Sequence, residues 1–330
     1  MLTVFSNDSK FRKVCLATGV SLLVFFFVMS STSTLTVLGI WMKLTVLRAV
    51  GSIITSVGAA VLAALIMKLI LTRNASGTGQ LYCRFRAAPV LPIETPLIIV
   101  TALALVRSVA LLNNWLTGFL NIPGTAALEI NPGGGLVLNM IAIALVPGFF
   151  EEFFFRGFIC NNLRRFGSVR AVLISSCFFS LMHGNLDQLL YTFAAGLILG
   201  WCFIKTGSVW LGIMIHVSNN AVSVLLGYVQ DQMGPSAAVT GNVILFIAGF
   251  VSILVLAVIW FWKFRLKKKE RVAEPDLMEW TLTGPLDAFE DRIRPSRTLR
   301  HVFNLPTVCF LVLIVGNIIL TLLYGKMLYG

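Results

Sequence analysis

The chain has 330 residues, 57% of them hydrophobic and 12% charged, with a formal net charge of +12. Soluble domains carry about 25% charged residues, so this composition excludes an ordinary water-exposed globular surface and points to a membrane protein. The positive charge does not imply nucleic-acid binding, because the basic residues sit at the ends of apolar runs and in the segment Lys263–Arg300, and no soluble basic domain presents a groove.

At the N-terminus, Lys10, Arg12 and Lys13 precede an apolar run from Val14 to Met29. That is the form of a signal peptide, but the run continues through Ser30–Ser33 into Leu35–Met42, so an uncleaved first helix is expected. A spanning helix takes about 20 apolar residues. Nine candidates follow in chain order: 14–38, 49–70, 96–117, 136–162, 169–187, 189–205, 208–228, 241–262 and 303–325. The expected fold class is therefore all-α, a polytopic transmembrane helix bundle of about nine spans (eight to nine). Residues 169–187 and 189–205 form a close-spaced pair, with Asp187 and Gln188 at the turn between them.

Orientation follows from the Lys/Arg bias. With the N-terminus in the cytoplasm, 21 of the 26 Lys and Arg residues lie inside, Lys43, Arg48 and Lys326 lie outside, and Arg107 and Arg156 fall within spans. The expected location is the plasma (cell) membrane. The 118–135 loop is rich in Gly and Pro and nearly uncharged. The 263–302 loop begins with a basic cluster, Lys267–Arg271, suited to anionic lipid headgroups or to simple cytoplasmic retention. Its second part, with Trp280, Leu286, Phe289 and Ile293, reads equally as a short amphipathic interfacial helix or a plain loop. Cys15, Cys83, Cys160, Cys177, Cys202 and Cys309 show neither zinc-site spacing nor a disulfide framework.

Charged residues inside a span are costly, about 3 kcal/mol each on insertion scales, and mark functional sites. Glu151, Glu152 and Arg156 all lie mid-span in the fourth candidate. Glu152 and Arg156 are four residues apart and share a helix face, so they can pair; Glu151 points elsewhere and keeps a free carboxylate. A free carboxylate at membrane depth suits a general base for water. A Glu–Arg pair that merely holds helices together accounts for Glu152 and Arg156 but not for Glu151. Pro147 precedes the pair and is expected to kink the helix. His183 shares a face with Phe179, and His216 with Asn220. His301, at a membrane boundary, reads as a solvated ring. Arg107 has no acidic partner within its own span; it could pair with Glu151 or Glu129, meet a substrate's carboxyl terminus, or snorkel toward an interface.

Glu151–Arg156 matches EExxxR, Phe179–His183 matches FxxxH and His216–Asn220 matches HxxxN. In this order on successive membrane helices, the three motifs resemble the CAAX protease and bacteriocin-processing (CPBP, or Abi) family. The resemblance covers about 136–228, leaving 1–135 as N-terminal helices and loops and 229–330 as additional helices with the basic cytoplasmic loop. It implies that Glu151 and His183 activate water, that His216 and Asn220 form the oxyanion site, and that Glu152, Arg156 and Phe179 support them. It implies no cofactor; the alternative is zinc on Glu151, His183 and His216, a plausible catalytic set, although HExxH is absent. The expected activity is endopeptidase cleavage of a membrane-associated peptide or protein, with membrane lipids as the other partner. Prenylated CAAX tails, peptide pheromones, bacteriocin precursors and anchored surface proteins are candidates. A non-catalytic scaffold or bacteriocin-immunity protein on the same fold is the alternative. A transporter ranks last, since paired broken helices and internal symmetry are absent. The depths of the motif residues are expected to open the site to the cytoplasm or laterally to lipid, with the fifth helix tilted or shifted.

Overall fold

In a bilayer every backbone N–H and C=O must find its partner within the protein, and a helix satisfies this within one segment. The computed structural model describes residues 2–41, 45–72, 93–120, 122, 135–273 and 295–329. These form an all-α bundle of α1 (Leu2–Trp41), α2 (Thr45–Thr72), α3 (Glu94–Phe119), α4 (Gly135–Leu163), α5 (Ser168–Leu181), α6 (Leu186–Thr206), α7 (Val209–Met233), α8 (Pro235–Ala273), α9 (Pro295–Val302) and α10 (Leu305–Tyr329). Among the described residues, seven helices are long and apolar enough to cross a membrane, with α5 and the apolar part of α10 (Leu305–Leu320) shorter. The protein is a polytopic integral membrane protein. All nine expected spans coincide with helices. Lys43, Arg73, Cys83, Glu129, most of the 118–135 loop and the Trp280–Ile293 segment lie outside the described residues.

The bundle's interior holds a cluster of phenylalanines, and its exterior is apolar. Phe154, Phe155, Phe158 and Ile159 of α4 are buried against α1 and α2, with Phe25 stacked on Phe154 at 5.0 Å between ring centroids. On the outside, α8 exposes Ile244, Ile247, Val251, Leu254 and Val258 along one flank, as a lipid-facing helix does. Glu94 at the start of α3 accepts from Lys263 Nζ at 2.7 Å and Trp260 Nε1 at 3.1 Å, which ties α3 to α8. His301 differs from its expected solvated state: its Nε2 lies 3.0 Å from Asp8 Oδ1, which joins α9 to α1.

Two departures from regular helix shape the centre. First, α4 is wound as π-helix over Met140–Leu145 and Phe153–Cys160, a rare geometry that concentrates at functional sites. Pro147 follows the first π segment. In an α-helix the N–H of residue 147 would serve the Ile143 carbonyl; proline has none, and Asn220 Nδ2 on α7 donates to that carbonyl at 3.1 Å. Second, α5 has only 14 residues, roughly 21 Å of helix against a hydrocarbon core of about 30 Å. The expected span 169–187 therefore ends early, and the turn 182–185 lies at membrane depth. Non-helical backbone there must be covered or line a cavity. Asn317 Nδ2 donates to Gly184 O at 3.2 Å, Asn113 Nδ2 to Asp187 O at 2.5 Å, and Asn185 Oδ1 accepts from Gln188 N at 2.9 Å. Asn185 caps the N-terminus of α6.

Candidate active site

Close helix approach assembles the site. Gly148 on α4 lies against Val217 on α7 so tightly that a Cβ there would come within 3.0 Å of the Val217 backbone nitrogen. Gly212, one turn before His216, leaves room for Glu152: a Cβ at Gly212 would reach 3.0 Å from Glu152 Oε2. Small residues at these crossings let two membrane helices bring their polar side chains into register.

Glu152 and Arg156 are fully buried and paired, Arg156 Nη1 to Glu152 Oε1 at 2.5 Å. Arg156 Nη2 also donates to Gly196 O at 3.1 Å, and its guanidinium lies 4.5 Å from the Phe179 ring centroid. The expected pair is thus present and is reinforced by a carbonyl and an aromatic face. Glu152 Oε1 also accepts from His216 Nδ1 at 3.0 Å, a partnership across 64 residues that helical spacing does not disclose. Phe179 touches Arg156, His183 and His216. Its ring meets Phe155 at 5.3 Å, His183 at 5.1 Å and His216 at 5.5 Å, all edge to face, so it fixes both imidazole planes.

Glu151 is partly exposed to a cavity of about 1180 Å³ that is lined also by His183, His216, Asn220 and Phe179. Its Oε2 is 3.9 Å from His216 Nε2, beyond hydrogen-bond range but close enough for electrostatic attraction. His183 donates from Nδ1 to Phe179 O at 2.8 Å. That bond fixes the tautomer and leaves Nε2 with a lone pair. The four motif residues therefore line one cavity, although they come from α4, the turn after α5, and α7. Glu151, His183 and His216 also fit the types of a zinc set, but among the described residues no three His, Cys, Asp or Glu side chains converge as metal ligands.

The cavity reaches further than the motifs. Asn139, Tyr191, Asn219, Ser223 and Asn317 line it as well. None was singled out from the sequence, yet asparagines inside apolar helices are a readable signal. Its lining includes Thr117 and Gly118 at the end of α3 and Asn185, Asp187 and Gln188 at the α5–α6 turn. The cavity thus extends to the end of the bundle formed by the C-terminal end of α3 and the α5–α6 turn.

Residues 133–222 match the family model described as type II CAAX prenyl endopeptidase Rce1-like. This segment is similar to the type II CAAX prenyl endopeptidase family. The match runs from the start of α4 into α7 and contains Glu151, His183, His216 and Asn220, whereas Arg107 on α3 lies outside it. Comparison with curated proteins and with solved structures found no match.

Proposed function

We propose that this protein is an intramembrane endopeptidase in which Glu151 and His183 activate water and His216 and Asn220 stabilise the oxyanion. The observation that carries the reading is the sharing of one cavity by these four side chains while Glu152, the adjacent carboxylate, is withdrawn and paired with Arg156. Residues 136–228 form the catalytic core, and a prenylated peptide is the substrate class that the family description favours.

Water bound between Glu151 and His183 Nε2 gives up a proton to this pair as its oxygen attacks the scissile carbonyl carbon. The carbonyl oxygen gains negative charge and is met by His216 Nε2–H and by the Asn220 amide. Asn220 Nδ2 carries two hydrogens, one held by Ile143 O, so one remains for the oxyanion. His216 donates from both nitrogens only as imidazolium. Glu152 Oε1 lies 3.0 Å from its Nδ1 and Glu151 Oε2 lies 3.9 Å from its Nε2. Collapse of the tetrahedral intermediate breaks the C–N bond, and the proton taken from water passes to the leaving amine. Donors already held in place in a dry site stabilise the transition state strongly.

The test is cleavage of a farnesylated peptide by the full chain purified into lipid. Wild type is expected to release a defined fragment, and Glu151→Gln to lower kcat by about 10²–10⁴, the range for loss of a general base. Absence of cleavage by wild type, or equal cleavage by the variant, contradicts the reading and favours a scaffold.

A further inference from the structure

Arg107 of α3 is a cation that the catalytic arrangement above does not use. Its Nη2 donates to Ser223 Oγ at 2.6 Å, and its Nε is buried without an acceptor. Ser223 Oγ donates in turn to Asn219 O at 3.0 Å, so the local partners are neutral. Among the described residues no carboxylate pairs with Arg107, although it lines the same cavity as Glu151, His183 and His216. A charge at membrane depth otherwise finds a counter-charge or serves a ligand. The guanidinium is planar, keeps its charge, and offers a fork of N–H donors matched to a carboxylate. With only one neutral hydroxyl satisfied, the fork remains free for an anion.

We infer that Arg107 anchors a carboxylate of the peptide substrate inside the cavity and so selects which bond reaches Glu151. The inference rests on the endopeptidase reading and extends it to the substrate's chemistry. The spacing is set by α7, where Ser223 lies three residues beyond Asn220 and seven beyond His216, on the same face. At 1.5 Å per residue, Ser223 is roughly 10 Å along the axis from His216. An extended peptide rises about 3.3 Å per residue, so the anchored carboxylate sits about three residues from the bond held at His216. A free chain terminus and an Asp or Glu side chain share this chemistry.

The experiment measures binding of one fluorescent farnesylated peptide in three forms: free C-terminus, C-terminal amide, and amide with a Glu at the last position. The hosts are Glu151→Gln and Glu151→Gln/Arg107→Gln in lipid, with product formation checked in each sample. In the first host the free acid is expected to bind about 10- to 100-fold tighter than the amide, the range for charge-assisted hydrogen bonds. The second host is expected to lose this difference. Recovery of tight binding by the Glu-bearing amide assigns the site to carboxylates generally, and its absence assigns it to a chain terminus; both support the anchor. Equal binding of acid and amide in the first host, or a preference that survives Arg107→Gln, overturns it. Arg107→Lys keeps the charge without the fork and is expected to give an intermediate preference; it carries the test if the Gln variant does not fold. Undiminished cleavage in the Glu151→Gln host would instead overturn the role of Glu151, leaving the binding result to decide Arg107.

Discussion

Glu151 and Glu152 are neighbours in the chain with different dependencies. Glu152 holds the buried Arg156 and His216 Nδ1, whereas Glu151 faces the cavity. Removing one partner of a buried ion pair leaves the other uncompensated and costs about 3–5 kcal/mol. Glu152→Gln is therefore expected to lower the thermal unfolding midpoint clearly, and Glu151→Gln to leave it nearly unchanged, as followed by tryptophan fluorescence in lipid. Equal midpoints for the two variants would contradict the division of roles. The Glu152–Arg156 pair was legible because four residues bring side chains onto one helix face. The bonds from Glu152 to His216 and from His301 to Asp8 were not, because local periodicity carries no information about contacts between distant segments.

The arrangement of elements rests on how closely α4 and α7 approach. Gly148 permits the crossing, and Asn220 fills the hydrogen bond that Pro147 leaves open at Ile143. A larger residue at 148 must push α7 away and with it both His216 and Asn220. Gly148→Val is expected to lower kcat by about 10²-fold or more, the scale for a 1 Å displacement of catalytic groups, while the protein still inserts and purifies. Wild-type turnover in this variant would show that the crossing does not set the site. The sequence shows the helices through their apolar runs. The end of α5 is marked only by the residues His183, Gly184 and Asn185, which the expected span 169–187 runs through; the polar backbone of this turn is served by Asn113, Asn185 and Asn317. The π winding of α4 is invisible to composition, though Pro147 marks its neighbourhood.

Across the whole molecule, we propose that the substrate enters from the non-cytoplasmic side. With the N-terminus in the cytoplasm, as the Lys/Arg bias predicts, the ends of α3 and α5 that the cavity reaches lie on the opposite side. In a background free of native cysteines, Gln188→Cys is expected to react with a membrane-impermeant maleimide added to intact cells from outside. Reaction only after permeabilisation would place the mouth in the cytoplasm and reverse the topology. Among the described residues, seven helices of spanning length, the outward-facing aliphatic flank of α8 and the Glu94 clasp enclose this cavity within a helix bundle.

The most direct test of the account compares wild type and Glu151→Gln on one farnesylated peptide, each with and without a zinc chelator. Cleavage lost with Gln and untouched by the chelator is the predicted result for water activated by Glu151 and His183. Cleavage abolished by the chelator and rescued by zinc would make Glu151 a metal ligand, and cleavage unchanged by Gln would contradict the central claim.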